Sequence, residues 1–116
     1  VLKPGPDHPI TITRNENHLT ISALEHQIAE TTRALTLQEA DYPAVQYIPR
    51  SDANMALLER TDHKTHCPYK GDCSYYSIVV NGERLENAVW TYENPYPDVA
   101  EIKDHLAFYS NKVQGL

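Results

Sequence analysis

Apolar and polar residues alternate with a period of two along much of this chain. Ile10 and Ile12 face one way and Thr11 and Thr13 the other, the pattern of a half-buried strand. Asn15-Glu16-Asn17 reads as a hairpin loop into a second strand carrying Leu19 and Ile21. Short strands are expected at His26–Glu30, Arg33–Leu37 and Ala44–Ile48, together an antiparallel meander that Pro49 closes. Cys73 to Val80 is β-branched and aromatic, and Asn81-Gly82 is the strongest turn signal in the chain. The return strand runs Asn87 to Tyr92 and ends at Pro95 and Pro97.

Two segments read as helix. Ser51-Asp52 offers an N-cap, followed by Met55, Ala56 and Leu58 with good helix formers through Arg60, which predicts a helix of about two turns. At the end of the chain, Asp98 with Glu101 fits a capping box. Val99, Ile102, Leu106 and Tyr109 recur at steps of three and four, predicting a C-terminal amphipathic helix. The expected fold is therefore mainly β (α+β): a single small antiparallel sheet or roll with one short helix and a C-terminal amphipathic helix. Residues 1–9, punctuated by Pro and Gly, read as a partly ordered tail, and 10–116 as one domain.

The length of 116 residues suits one domain with a core of its own. Ten Lys+Arg against sixteen Asp+Glu leave a net charge of −6, which argues against general binding to nucleic acid phosphates. No apolar run exceeds four residues, so no bilayer span and no membrane partner are expected. Val1-Leu2-Lys3-Pro4-Gly5-Pro6 shows no apolar signal region, and two cysteines are too few for a disulfide framework. These features predict a cytoplasmic, soluble domain.

Candidate chemistry gathers between Arg50 and Asp72. Arg50, Arg60, Lys64 and Lys70 balance Asp52, Glu59, Asp62 and Asp72, so the net charge lies elsewhere. Such a segment can accept one anionic group, or it can be a solvated run of ordinary ion pairs. His63, His66, Cys67 and Cys73 are zinc-type ligands, but their spacing does not match zinc sites and no metal is assigned. Cys67 could act as a nucleophile activated by Lys64, Lys70 and the histidines, with His66 as its base, or be a buried small hydrophobe. Lys70-Gly71-Asp72 is a tight turn presenting a lysine and lacks the flanking residues of a phosphate-binding Walker loop. Tyr75, with Trp90 or Tyr92 across the hairpin, could wall a planar ligand or simply fill the core.

Taken together, several stretches form a recognisable set: Thr32-Arg33-Ala34-Leu35, Pro49-Arg50-Ser51-Asp52, Met55, Leu57 to Asp62, and Cys67-Pro68-Tyr69-Lys70-Gly71. Tyr75-Tyr76-Ser77, Asn87 to Tyr92, Ile102 and His105 to Tyr109 continue it. In order and separation this set resembles the signature of the bacterial domain of unknown function 427 family, from Pro9 onward. The resemblance implies a compact β-rich single domain with a C-terminal helix. The family motif maps onto Arg50, Glu59, Arg60, Cys67, Lys70, Gly71, Tyr75 and Trp90 as the positions lining a site. Position 73 in that motif is typically a small residue such as alanine, whereas this chain carries Cys73. The family sometimes carries a nucleotidyltransferase label. That chemistry normally uses a Gly-Ser loop and carboxylates gathered on Mg²⁺, and this chain has no Gly-Ser pair and no Asp-x-Asp.

Three functions follow as expectations. The first is a module binding a small anionic or nucleotide-like ligand, clamped by Arg50, Arg60 and Lys70 beside Gly71, flanked by Tyr75 and Trp90, with Glu59 orienting an arginine. The second is an enzyme using Cys67 as nucleophile or redox thiol with His66. The third is a non-catalytic protein-interaction module. No motif assigns a cofactor or an oligomeric state.

Overall fold

A computed structural model describes residues 1–116 and is built almost entirely of antiparallel strands. These are β1 (Ile10–Asn15), β2 (Leu19–Ala23), β3 (His26–Thr31), β4 (Ala34–Glu39), β5 (Val45–Pro49), β6 (Leu58–Cys67), β7 (Gly71–Val80), β8 (Glu83–Thr91) and β9 (His105–Phe108). Seven of them form one sheet in the order β1-β4-β5-β9-β8-β7-β6, and β2 and β3 form a separate hairpin. The alternation of apolar positions thus located the first five strands, and Asn81-Gly82 does turn β7 into β8.

The pairing differs from a simple meander. β1 pairs with β4, Ile12 opposite Leu37, so Asn15-Glu16-Asn17 does not close a hairpin. The β2–β3 hairpin instead lies on the sheet, where Ile21, Ala23, Ile28 and Ala29 pack with Ile48, Tyr76, Ile78, Val89, Leu106 and Phe108. Burying that apolar face takes the hydrophobic side of both hairpin and sheet out of water. A second cluster fills the opposite face: Leu37, Tyr47, Cys73, Tyr75, Tyr92 and Ala107, covered by Val99 and Ile102.

Both helix expectations are corrected. The chain after Pro49 makes two single 3-10 turns, Arg50–Asp52 and Met55–Leu57, and Leu58 already opens β6. Asp52 caps neither turn. Its carboxylate accepts hydrogen bonds from Thr31 Oγ1 at 2.6 Å and Arg33 Nη2 at 3.1 Å, while Asn54 caps the second turn. The polar stretch beyond is largely β6 itself, an edge strand whose charges discourage pairing with another chain.

The C-terminal amphipathic helix is absent. Pro97–Ile102 is a 3-10 segment interrupted at Val99 (φ −127°, ψ 25°), Tyr96 rather than Asp98 precedes it, and Asp104 adopts φ +57°. Val99 and Ile102 both bury, as residues three apart do on a 3-10 turn. Leu106 is buried for a different reason: it lies on β9, the strand between β5 and β8. Leu106, Ala107 and Phe108 are buried on both faces of the sheet, and such a strand has no alternation to distinguish it from a helix.

The first nine residues are also docked. Leu2 N–H donates to the Pro68 carbonyl at 2.8 Å, and Gly5 and His8 exchange backbone hydrogen bonds. No helix is long and apolar enough to cross a membrane.

Candidate functional site

Period-two geometry sends Tyr75, its partner Trp90 and Trp90's partner Ala107 to the same face of β7, β8 and β9. The small Ala107 side chain leaves room for Tyr47 and Trp90 to meet edge to face, centroids 6.5 Å apart at 88°. Trp90 Nε1–H donates to Tyr47 Oη at 3.3 Å, which fixes the indole, and Tyr109 packs on it with centroids 4.6 Å apart. These rings wall a cleft of about 240 Å³ together with Leu37, Val45 and Tyr92. It adjoins a shallower groove of about 570 Å³ that runs past Tyr42 and Tyr109 to Leu116.

One charged pair opens into the cleft. Lys70 Nζ donates to Glu39 Oε1, with the two side chains only 11% and 14% exposed. His8 Nε2 donates to Glu39 Oε2 at 2.7 Å, so both carboxylate oxygens are engaged. The His8 ring stacks on Tyr69, centroids 3.9 Å apart with the ring planes nearly parallel. The turn that carries Lys70 is pinned by Tyr96 N–H donating to the Lys70 carbonyl at 3.0 Å. Gly71 follows at φ +109°, a conformation that disfavours any side chain. Lys70 Nζ also stands 5.8 Å from the centroid of the Tyr92 ring.

The other proposed site residues lie elsewhere. Tyr76 points to the opposite face from Tyr75, and the arginines gather around it. Arg50 Nη1 donates to Tyr76 Oη at 2.8 Å, and Arg60 sits over the same ring. Arg60 is engaged by both oxygens of Glu93, at 2.7 and 2.8 Å, and by Ser74. Glu59 orients neither arginine of that cluster; it accepts from Arg84. Cys67 and His66 are consecutive on β6, opposite Gly71 and Asp72, and so leave the strand on opposite faces. His66 pairs with the Asp72 carboxylate at 2.7 Å, and Cys67 is half-buried and free. Lys70, Gly71, Tyr75 and Trp90 therefore come together, while Arg50 and Arg60 form a separate cluster across the sheet.

Glu39, Tyr47 and Tyr92 complete the cleft, with His8 holding Glu39 from outside it, and the sequence alone assigns none of Glu39, His8 or Tyr47 to a site. A visible signal existed for one of them: Leu35, Leu37 and Glu39 share a strand face, which puts a carboxylate at an inward-phased position. Tertiary pairing alone brought His8 to it.

The electrostatics keep the aromatic wall neutral. Burial raises the Tyr47, Tyr75 and Tyr92 phenols well above their ordinary range, so all three retain their protons at neutral pH. Burial also pushes Glu39 upward, but hydrogen bonds and charge from Lys70 and His8 outweigh it and hold the carboxyl below its usual value. The buried Cys73 thiol is raised by desolvation, which makes it a poor nucleophile.

No three His, Cys, Asp or Glu side chains converge in a geometry that could hold a metal ion. The residues present do not fit the carboxylate-held Mg²⁺ of nucleotidyl transfer. No curated protein matches this sequence. Residues 11–116 match the family model described as domain of unknown function (DUF427), which spans nearly the whole chain. From its sheet edge at β1 to its last residue, this chain belongs to the DUF427 family.

Proposed function

We propose that this domain binds a small planar ligand in the aromatic cleft, with the polar end of the ligand at Lys70. The observation that carries this is the opening of a nearly buried Lys70–Glu39 pair into a cleft otherwise walled by aromatic and aliphatic side chains. Ligand sites commonly combine an apolar wall with a few placed polar groups in this way, and a volume of about 240 Å³ suits a ligand of one or two rings. The clamp is thus Lys70 with Tyr75 and Trp90, without Arg50 and Arg60, whose guanidinium groups are engaged around Tyr76.

Trp90 is the only tryptophan in the chain, so its fluorescence reports on the cleft directly. Titration with single- and two-ring probes is expected to change that fluorescence saturably, and equally in Arg60→Ala, which lies across the sheet. Loss of the response in Arg60→Ala would place the site at the arginine cluster instead. A flat titration for every planar probe would remove the reading.

A further inference from the structure

The polar groups lining this cleft differ in how much hydrogen-bonding capacity they have left. Glu39, its only carboxylate, already accepts from Lys70 on one oxygen and from His8 on the other. Tyr47 Oη accepts from Trp90 Nε1, but no protein acceptor takes its own proton, although the residue is only 1% exposed. Tyr92, only 6% exposed, also lines the cleft, with its hydroxyl beside the Cys73 thiol. Lys70 uses one N–H on Glu39 and has two more. The unspent donors at the cleft are thus the Tyr47 O–H group and the remaining N–H groups of the Lys70 ammonium.

Resting on the cleft as the binding site, we infer that its ligand is a small aromatic carboxylate. Its ring lies against Trp90, and its oxygens accept hydrogen bonds from Tyr47 and Lys70. Hydrogen bonds to an ionised acceptor are the strong ones, and several of them are needed to offset the cost of taking a carboxylate into an apolar wall. An amine would have to share Glu39 with Lys70 and His8, each of which already holds one of its oxygens. A nucleotide phosphate is disfavoured for a second reason. Lys70 is the only cation lining the cleft, and Glu39 cancels its charge, so nothing balances a multiply charged group. One delocalised negative charge met by a neutral phenol and one shared ammonium is the arrangement these residues can satisfy.

The test is a titration of the protein with benzoate and indole-2-carboxylate, set beside benzamide, benzylamine and AMP, and followed by Trp90 fluorescence. The carboxylates are expected to bind saturably, and the amide, amine and nucleotide at least about tenfold more weakly. Tyr47→Phe is expected to weaken benzoate by about tenfold while leaving benzamide little changed. Lys70→Met alone leaves Glu39 with only His8 as a partner, so the double variant Glu39→Gln/Lys70→Met, checked for folding by its thermal melt, carries the lysine arm and is expected to lose carboxylate preference. If benzamide or benzylamine binds as tightly as benzoate, or both variants keep full carboxylate affinity, the inference is overturned and the cleft reading stands. If no probe moves Trp90, both fall together.

Discussion

Lys70 and Glu39 are nearly buried charges whose partners are each other and His8, so removing one leaves the other poorly solvated and short of a partner. Lys70→Met is expected to destabilise the fold by about 3 kcal/mol, with Glu39→Gln/Lys70→Met recovering most of the loss, measured by chemical denaturation. Equal losses in the two variants would show that packing of the lysine stem, rather than the orphaned carboxylate, sets the cost. A second residue with a sharp geometric demand is Gly115, at φ +102°. A Cβ there would sit 2.0 Å from the Thr20 carbonyl oxygen, a backbone atom that cannot step aside cheaply. Gly115→Ala is expected to lift the end of the chain off β2. Hydrogen exchange would then show faster loss of the Ser22 and Gln114 amides, which now bond each other's carbonyls. Unchanged protection of both would refute it. Residue identity also made part of the cleft readable in advance: Lys70, Tyr75 and Trp90 were visible as a cation and aromatics beside a tight turn, whereas Tyr47 looked like any apolar strand residue.

At the scale of elements, β9 carries the main lesson. Its four residues join β5 to β8, and Leu106 is fully buried beside Ile48 and Phe108 in the core that the β2–β3 hairpin covers. Leu106→Ala is expected to cost about 2–5 kcal/mol, read as a fall in the denaturation midpoint. A cost well below 1 kcal/mol would mean that β9 is not the tightly packed strand described here. The same segment reads as the second half of a helix, because Val99, Ile102 and Leu106 have helical spacing. Propensity and spacing are local, while the choice between a helix laid on the sheet and a strand inside it depends on a gap between β5 and β8 that only the assembled sheet contains. The two elements with the clearest local chemistry were legible for the complementary reason. Asn81 at φ +50° and Gly82 at φ +81° adopt the positive-φ turn their side chains favour, and Ile10 with Ile12 shows the alternation of an edge strand.

At the scale of the whole molecule, stability is tied to carboxylates held in their charged form. Glu39 is kept below its ordinary value by Lys70 and His8 against the effect of burial. Glu93 is held there by its hydrogen bonds to Arg60, and Asp52 by those from Thr31 and Arg33. A lowered folded pKa contributes stability that is complete above the unfolded value, 4.5 for Glu and 3.8 for Asp, and disappears as pH falls through the folded value. The melting temperature is therefore expected to hold from neutral pH to about 5 and to decline steeply below about 4.5, more shallowly in Glu39→Gln/Lys70→Met. A melting temperature constant down to about pH 3 would contradict this. By itself, the sequence determined what depends on near neighbours: a single β-rich domain, most strand positions, the β7–β8 turn, and a polar and aromatic segment with the composition of a site. Tertiary structure decided which of those residues share a face. Tyr75 and Tyr76 are adjacent in the chain yet look out on opposite sides of the sheet, and with them the arginine cluster parts from the cleft. His8 and Glu39, 31 residues apart, meet because β1 pairs with β4 and brings the first residues of the chain alongside. Strand pairing and the burial of one sheet face against the hairpin are long-range contests over buried surface, and their outcome is not written in the spacing of any one segment.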